Sequence, residues 1–210
     1  MRRAAVAFVL LSATAACSRP SAPPPAAGSG APSTADATAS AARPDRIVGI
    51  VHASGLAVVV LEPKTERTFP AQTETPVMDQ AGLSFGPELL LVRTGQPVEF
   101  RNNDDTLHNV HVTHEETRTP AFNVAIPTGS AYRYTFERDG FYRVGCDIHP
   151  AMAASVFAAA TPYAAIAESD GRFAFSDVPP GAWTVTVYTG GQRLHKDVEV
   201  KAGVTEVTID

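Results

Sequence analysis

The stretch Cys146-Asp147-Ile148-His149-Pro150-Ala151-Met152 sets a thiol, an imidazole and a thioether at intervals of three residues. A second imidazole, His108, lies 38 residues upstream of the thiol. Two imidazoles and a thiolate in a plane, with a long axial thioether, are the donor set of a type 1 copper site. Soft sulfur suits Cu(I) and imidazole accepts Cu(II), so such a set favours one-electron cycling with little rearrangement. The chain has two cysteines, and Cys17 falls in an N-terminal segment that is either removed or lipidated. Cys146 then has no intramolecular partner, and in an oxidising compartment an unprotected thiol is oxidised. Burial as a structural cysteine would protect it. Ligation of one copper ion would too, and the C-x-x-H-x-x-M spacing favours ligation.

The remaining histidines fit that site poorly. Side chains alternate along a strand, so His111 faces away from His108, and His114 lies about 20 Å further along at 3.3 Å per residue. His52 and His195 lie in other stretches, and all four are expected at the surface or in ordinary hydrogen bonds. Trp183 is expected in a core rather than on an electron path, and Met78 has no ligand context. Enzymatic copper and zinc chemistries fare worse. A binuclear copper centre needs a second ligating cysteine. Multicopper oxidases flank the cysteine with histidines, whereas Cys146 stands between Gly145 and Asp147. Zinc hydrolysis needs an open water position and a base, for which no motif is present.

The elements that must position these ligands are strands. From Arg46 onward short apolar runs alternate with Gly, Pro and Asp turns, without a long stretch of helical period. Strands are expected at Ile47–Val51, Leu56–Leu61, Leu89–Val92, Val98–Arg101, Asn109–Thr113, Ala131–Phe136, Phe141–Val144, Arg172–Phe175, Trp183–Tyr188, Lys196–Val200 and Thr205–Ile209. Tyr132, Tyr134 and Phe136 share one face, as do Trp183, Val185 and Val187. Tyr142, Val144 and Cys146 point inward, and a turning loop returns His149 and Met152 toward the thiol.

Asn102-Asn103-Asp104-Asp105-Thr106-Leu107-His108-Asn109-Val110-His111 resembles the strand that carries the first histidine of cupredoxins such as plastocyanin and amicyanin. Gly95-Gln96-Pro97-Val98-Glu99-Phe100 resembles the turn and strand before it. Gly140 to Met152 resembles the C-terminal ligand loop, with the short spacing of amicyanin and pseudoazurin. The resemblance runs from about Thr73 to Ala159. It implies a Greek-key β-sandwich, the ligands His108, Cys146, His149 and Met152, and Asn109 hydrogen-bonded across to the cysteine loop.

A second resemblance lies at Glu168-Ser169-Asp170-Gly171-Arg172-Phe173-Ala174-Phe175-Ser176-Asp177-Val178-Pro179-Pro180-Gly181 and the following Ala182–Tyr188, which look like a carboxypeptidase regulatory-like domain, a transthyretin-type sandwich. That family opens with two strands which here lie far upstream, at Ile47–Val51 and Leu56–Leu61. The expected class is therefore all-β: a cupredoxin Greek-key sandwich over 64–161, and a second, smaller sandwich split between 46–63 and 162–210. A simple tandem, with the upstream strands serving the first sandwich, is the alternative. The pairing is similar to that of bacterial proteins labelled methylamine utilization proteins.

Residues 1–17 have a basic start at Arg2 and Arg3, an apolar run too short to span a bilayer, and small residues before Cys17, as in a signal peptide. Thr14-Ala15-Ala16-Cys17 resembles a lipobox, which makes Cys17 the candidate lipidation site; ordinary cleavage after Ala15 or Ala16 would leave no lipid. Residues 18–45 are mostly Pro, Ala, Ser, Thr and Gly, too poor in large apolar groups to fold, and would act as a tether with a reach on the order of 30 Å. The expected location is the periplasm, anchored to the outer membrane, with contact to a membrane only through that lipid. The net charge of -5 falls to about -7 once Arg2 and Arg3 are lost. No basic face is available to displace phosphate counterions, so nucleic acid is not an expected partner. A positively charged redox protein, such as a c-type cytochrome or a dehydrogenase, is. The function expected is single-electron transfer rather than catalysis. A copper-holding or copper-delivery lipoprotein, or a structural module with a vestigial site, are the alternatives.

Overall fold

A computed structural model describes residues 45–210. The signal segment, Cys17 and the tether up to residue 44 lie outside the described residues. Within them every regular element is a strand. In chain order these are β1 (Arg46–Val51), β2 (Ala57–Pro63), β3 (Val77–Ala81), β4 (Ser84–Gly86), β5 (Leu89–Arg93), β6 (Pro97–Asn102), β7 (His108–His114) and β8 (Pro120–Ile126). They continue with β9 (Ala131–Thr135), β10 (Gly140–Gly145), β11 (Ala153–Ala159), β12 (Ala164–Ile166), β13 (Arg172–Ser176), β14 (Gly181–Thr189), β15 (Gln192–Val200) and β16 (Val204–Ile209).

They form four sheets, ordered β13-β1-β16, β12-β2-β14-β15, β5-β11-β10-β7-β8 and β4-β3-β6-β9. The last two enclose one core, in which Met78, Phe100, Val110, Phe136 and Val156 are fully buried and Cys146 and Met152 nearly so. The first two enclose another, built on Ile47, Leu61, Phe175, Trp183 and Val185. All strands from β3 to β11 pair among themselves, whereas β1 and β2 pair only with strands from β12 onward. The backbone amide of Leu61 donates to Tyr163 O at 2.9 Å, so the chain leaves and re-enters the second pair of sheets at adjacent points.

β2 shows why the four sheets stack. Its residues Ala57 to Leu61 are all buried, a continuous apolar run that only a strand covered on both faces tolerates. Val59 and Leu61 enter the second core, while Val58 and Val60 face outward and meet Phe157 and Ala159 of β11 in a third apolar cluster. Leu89, Leu91, Phe141 and Tyr188 close around them. Each valine buried there contributes on the order of 1.5–3 kcal/mol. β1, the middle strand of its sheet, needs Gly49: a Cβ there would lie 2.5 Å from both the Phe173 ring and the Val207 carbonyl.

Candidate metal centre

Strand order brings the ligand residues to one end of the first sandwich. β10 and β7 are antiparallel neighbours with Gly145 opposite His111, so the end of β10 meets the start of β7, where His108 sits. β10 also pairs with β11, Gly145 opposite Ala153. Cys146 and Met152 are the next two residues beyond that ladder, and the intervening turn, closed by Met152 N donating to His149 O at 2.9 Å, carries His149. Tyr142, Val144 and Cys146 alternate into the core as the period of a strand requires.

His108, Cys146 and His149 form a group whose ligand atoms all lie within 4.8 Å of one another. The two Nδ1 atoms are 3.0 Å apart, and the Cys146 Sγ is 3.9 Å from each. A point in the plane of a triangle with sides 3.0, 3.9 and 3.9 Å lies about 2.1 Å from all three corners, the length of an ordinary metal–nitrogen bond. Two imidazole nitrogens facing each other this closely repel unless a cation or a shared proton lies between them. With a thiol completing the triangle, the donor set fits copper in trigonal coordination. His108 is fully buried, Met152 is 2% exposed within the same core as Cys146, and His149 is half-buried.

Neighbouring polar groups fix this geometry. His108 Nε2 donates to Asp104 Oδ2 at 2.7 Å, which leaves Nδ1 free to ligate. Asn109 Oδ1 accepts from the Asp147 amide at 2.7 Å and from Cys146 Sγ at 3.3 Å, and its Nδ2 donates to Asn123 and Asp147. Asn109 thus ties the start of β7 to the cysteine loop. The Leu83 amide and then His108 hold the Asp104 carboxyl below the usual carboxylate range. His111, followed by Asn123 and Asn109, does the same for Asp147. The fully buried Asn102 braces the loop before His108, donating to the carbonyls of Thr106 and Ile126 at 2.8 Å.

His111 points away from the ligand cluster and pairs with Asp147 at 3.0 Å. His114 is buried and used locally, beside Thr117 Oγ1 at 3.0 Å and the Asp139 carbonyl at 3.2 Å. His52 pairs with Asp210, Trp183 is fully buried in the second core, and Met78 fills the first. Two features escaped sequence reasoning. One is Asp104, for which the Asn-Asn-Asp-Asp run before the strand was an available signal of a side-chain-braced turn. The other is a set of exposed apolar side chains beside the ligands: Leu107 and Ile148, each 47% exposed, immediately precede the two histidines, and Leu83 is 53% exposed. An apolar residue directly before each ligand histidine was the signal.

Residues 71–158 match the model of a family described as copper binding proteins, plastocyanin/azurin family. Those residues are thus similar to copper-binding proteins of plastocyanin/azurin type, and within them His108, Cys146 and His149 form a cluster able to bind one copper ion. No curated protein matches the chain. Among solved structures it is similar to a copper-containing nitrite reductase from Thermus scotoductus SA-01, at 27% identity and a TM-score of 0.38, over 47% of this chain and 25% of that one. The chain thus spans a quarter of that enzyme's length. It is also similar to a reduced amicyanin variant, at 24% identity and a TM-score of 0.38, over 48% of this chain and 99% of that one. A purple cupredoxin from Nitrosopumilus maritimus matches at 21% identity and a TM-score of 0.36, over 40% of this chain and 99% of that one.

Proposed function

We propose that this protein is a one-electron carrier whose type 1 copper ion would be held by His108, Cys146 and His149, with Met152 as a fourth ligand. The observation that carries this reading is the trigonal arrangement of two Nδ1 atoms and one sulfur, rooted in a packed core at the thiolate and reaching half-exposed at His149. Copper so bound supplies a one-electron couple. The chain's own residues do the rest: the ladders of β7 and β10 hold the donors at nearly one geometry, and Asn109 keeps the cysteine loop closed over the thiolate. Water is kept from the sulfur by the core.

The exposed Leu83, Leu107 and Ile148 with Pro150 and Ala151 make an apolar end around His149, suited to brief docking of a redox protein such as a c-type cytochrome or a dehydrogenase. Asp105 and Asp147, in the loops that carry His108 and His149, and the net charge of -5 favour a partner with a basic rim. The periplasm as location, and a lipid on Cys17 with residues 18–45 as a tether, complete the reading.

The sheet topology supports a further part of it. Residues 46–63 and 162–210 would form a carboxypeptidase regulatory-like sandwich into which the copper domain, 64–161, is inserted. β1 between β13 and β16, and β2 between β12 and β14, are the pairings such an insertion requires.

The test is the visible spectrum of the Cu(II)-loaded protein. An intense thiolate-to-copper absorption is expected, lost in Cys146→Ser and distorted in His108→Ala. A stoichiometric but colourless Cu(II) complex would overturn electron carriage in favour of copper holding or delivery.

A further inference from the structure

We propose that Asp104 is the positioning residue that biases the copper centre toward Cu(II), acting through His108. The inference rests on the copper reading above. The Asp104 side chain is 13% exposed, and its Oδ2 lies 2.7 Å from Nε2 of the fully buried His108. A carboxylate can only accept, so the proton of the imidazole sits on Nε2 and the Nδ1 lone pair is directed at Cys146 and His149. A neutral acceptor would orient the ring equally well. A carboxylate adds negative charge on the far side of the ring, which makes Nδ1 a stronger donor and favours the more highly charged metal ion.

The carboxylate is itself clamped. Gly82 and Leu83, the two central residues of the β3–β4 hairpin, both have positive φ, +60° and +57°. Their amides converge on Asp104, Gly82 N on Oδ1 and Leu83 N on Oδ2, the latter at 2.9 Å. The Asp104 amide in turn donates to Asn102 Oδ1 at 3.0 Å. A leucine in this backbone region costs roughly 1–2 kcal/mol, and its side chain is 53% exposed. What the turn provides is a pair of amide donors aimed at one carboxylate oxygen each. The β3–β4 turn is therefore two hydrogen bonds from His108.

The step affected is the uptake or release of one electron by copper, exchanged with a one-electron partner, without a proton or atom transferred. Asp104→Asn keeps the size and an acceptor oxygen while removing the charge. Cu(II) affinity is expected to fall ten- to hundredfold, and Cu(I) affinity about tenfold less than that. A tenfold differential is about 59 mV for a one-electron couple, so the reduction potential rises while the visible absorption persists. Asp104→Glu, which retains the charge, should return the potential toward that of the wild type. Equal losses for both oxidation states, with the potential unchanged, would reduce Asp104 to a structural prop and overturn the proposal. Metal-free wild-type protein gives a second readout: 15N NMR should find His108 protonated at Nε2. Protonation at Nδ1 would overturn the proposal even if the variants do not fold. A wild-type protein without a visible copper absorption would sink the electron-carrier reading while the NMR result on Asp104 stood on its own.

Discussion

Asn109 joins more of the metal end than any ligand does. Its one carbonyl oxygen serves the Asp147 amide and the Cys146 thiol, and its amide group serves Asn123 and Asp147. Asn109→Ala leaves these donors without their acceptor, at about 1–3 kcal/mol for each buried group left unsatisfied. Chemical denaturation of the metal-free protein should show that loss, and copper affinity should drop with it. In the middle of β6, Glu99 is 6% exposed and lies between Arg101 and Arg133. Arg101 first, then Arg133, hold its carboxyl below the usual range. Its folded-state pKa is thus lower than in the unfolded chain. The stabilisation is fully present above the unfolded carboxylate value of about 4.3, and is lost as pH falls through the folded one. Glu99→Gln should be less stable than wild type at neutral pH, with the gap closing in acid; a gap constant with pH would contradict this. The ligand types and spacing were legible in the sequence because donor chemistry is a property of residue type. The carboxylates Asp104 and Asp147 were not, because what they do depends on which amides and rings surround them in space.

At the scale of elements, strands with strong alternation or β-branched runs were legible, and five others were not. β11, Ala153–Ala159, contains four alanines, a residue depleted in strands, and its first residues look like the rim of a loop. It is nonetheless paired on both sides, with β10 and β5, and buries Val156 and Ala158 in the first core and Phe157 and Ala159 against β2. β3 carries Asp79 and the fully buried Gln80, polar residues that mask its period. β8 begins at a proline, as an edge strand allows. β4 and β12 are three residues each, too short to show any period. Gly49 shows the opposite situation, a residue whose reason appears only in three dimensions. Gly49→Ala places a methyl group against a backbone carbonyl and the Phe173 ring. Overpacking of this kind costs about 1–3 kcal/mol. The thermal midpoint should fall accordingly, with the visible spectrum of the copper-loaded protein unchanged.

The whole molecule has two separate reporters. Trp183, the chain's one tryptophan, lies in the core of the second pair of sheets, and the thiolate–copper absorption would report on the first. Because Val58, Val60, Phe157 and Tyr188 join the two, denaturation followed by both signals should give coincident transitions. Phe157→Ser, at a ring 1% exposed, should weaken that junction and separate them. Coincidence retained in the variant would mean that the coupling runs elsewhere. A chain beginning at Pro70 would lack β1 and β2, the middle strands of two sheets. It should aggregate through the unpaired edges of β13, β16, β12 and β14, whereas a chain beginning at Arg43 should not. Equal behaviour of the two would show the upstream strands to be dispensable.

The hydrogen bond between Leu61 and Tyr163 has a consequence for the order in which the molecule assembles. As the chain is synthesised, β1 and β2 emerge first, yet their partners β12 to β16 come last. Joining two points about a hundred residues apart costs about 4 kcal/mol in loop entropy if the intervening chain is unstructured. If the copper domain folds first, it brings both points together and that cost has already been met. The slowest, most non-local pairings then become nearly local ones. Anything that delays the copper domain should delay the burial of Trp183 as well. Refolding monitored by tryptophan fluorescence should therefore slow in a variant such as Val110→Ala, altered only in the first core.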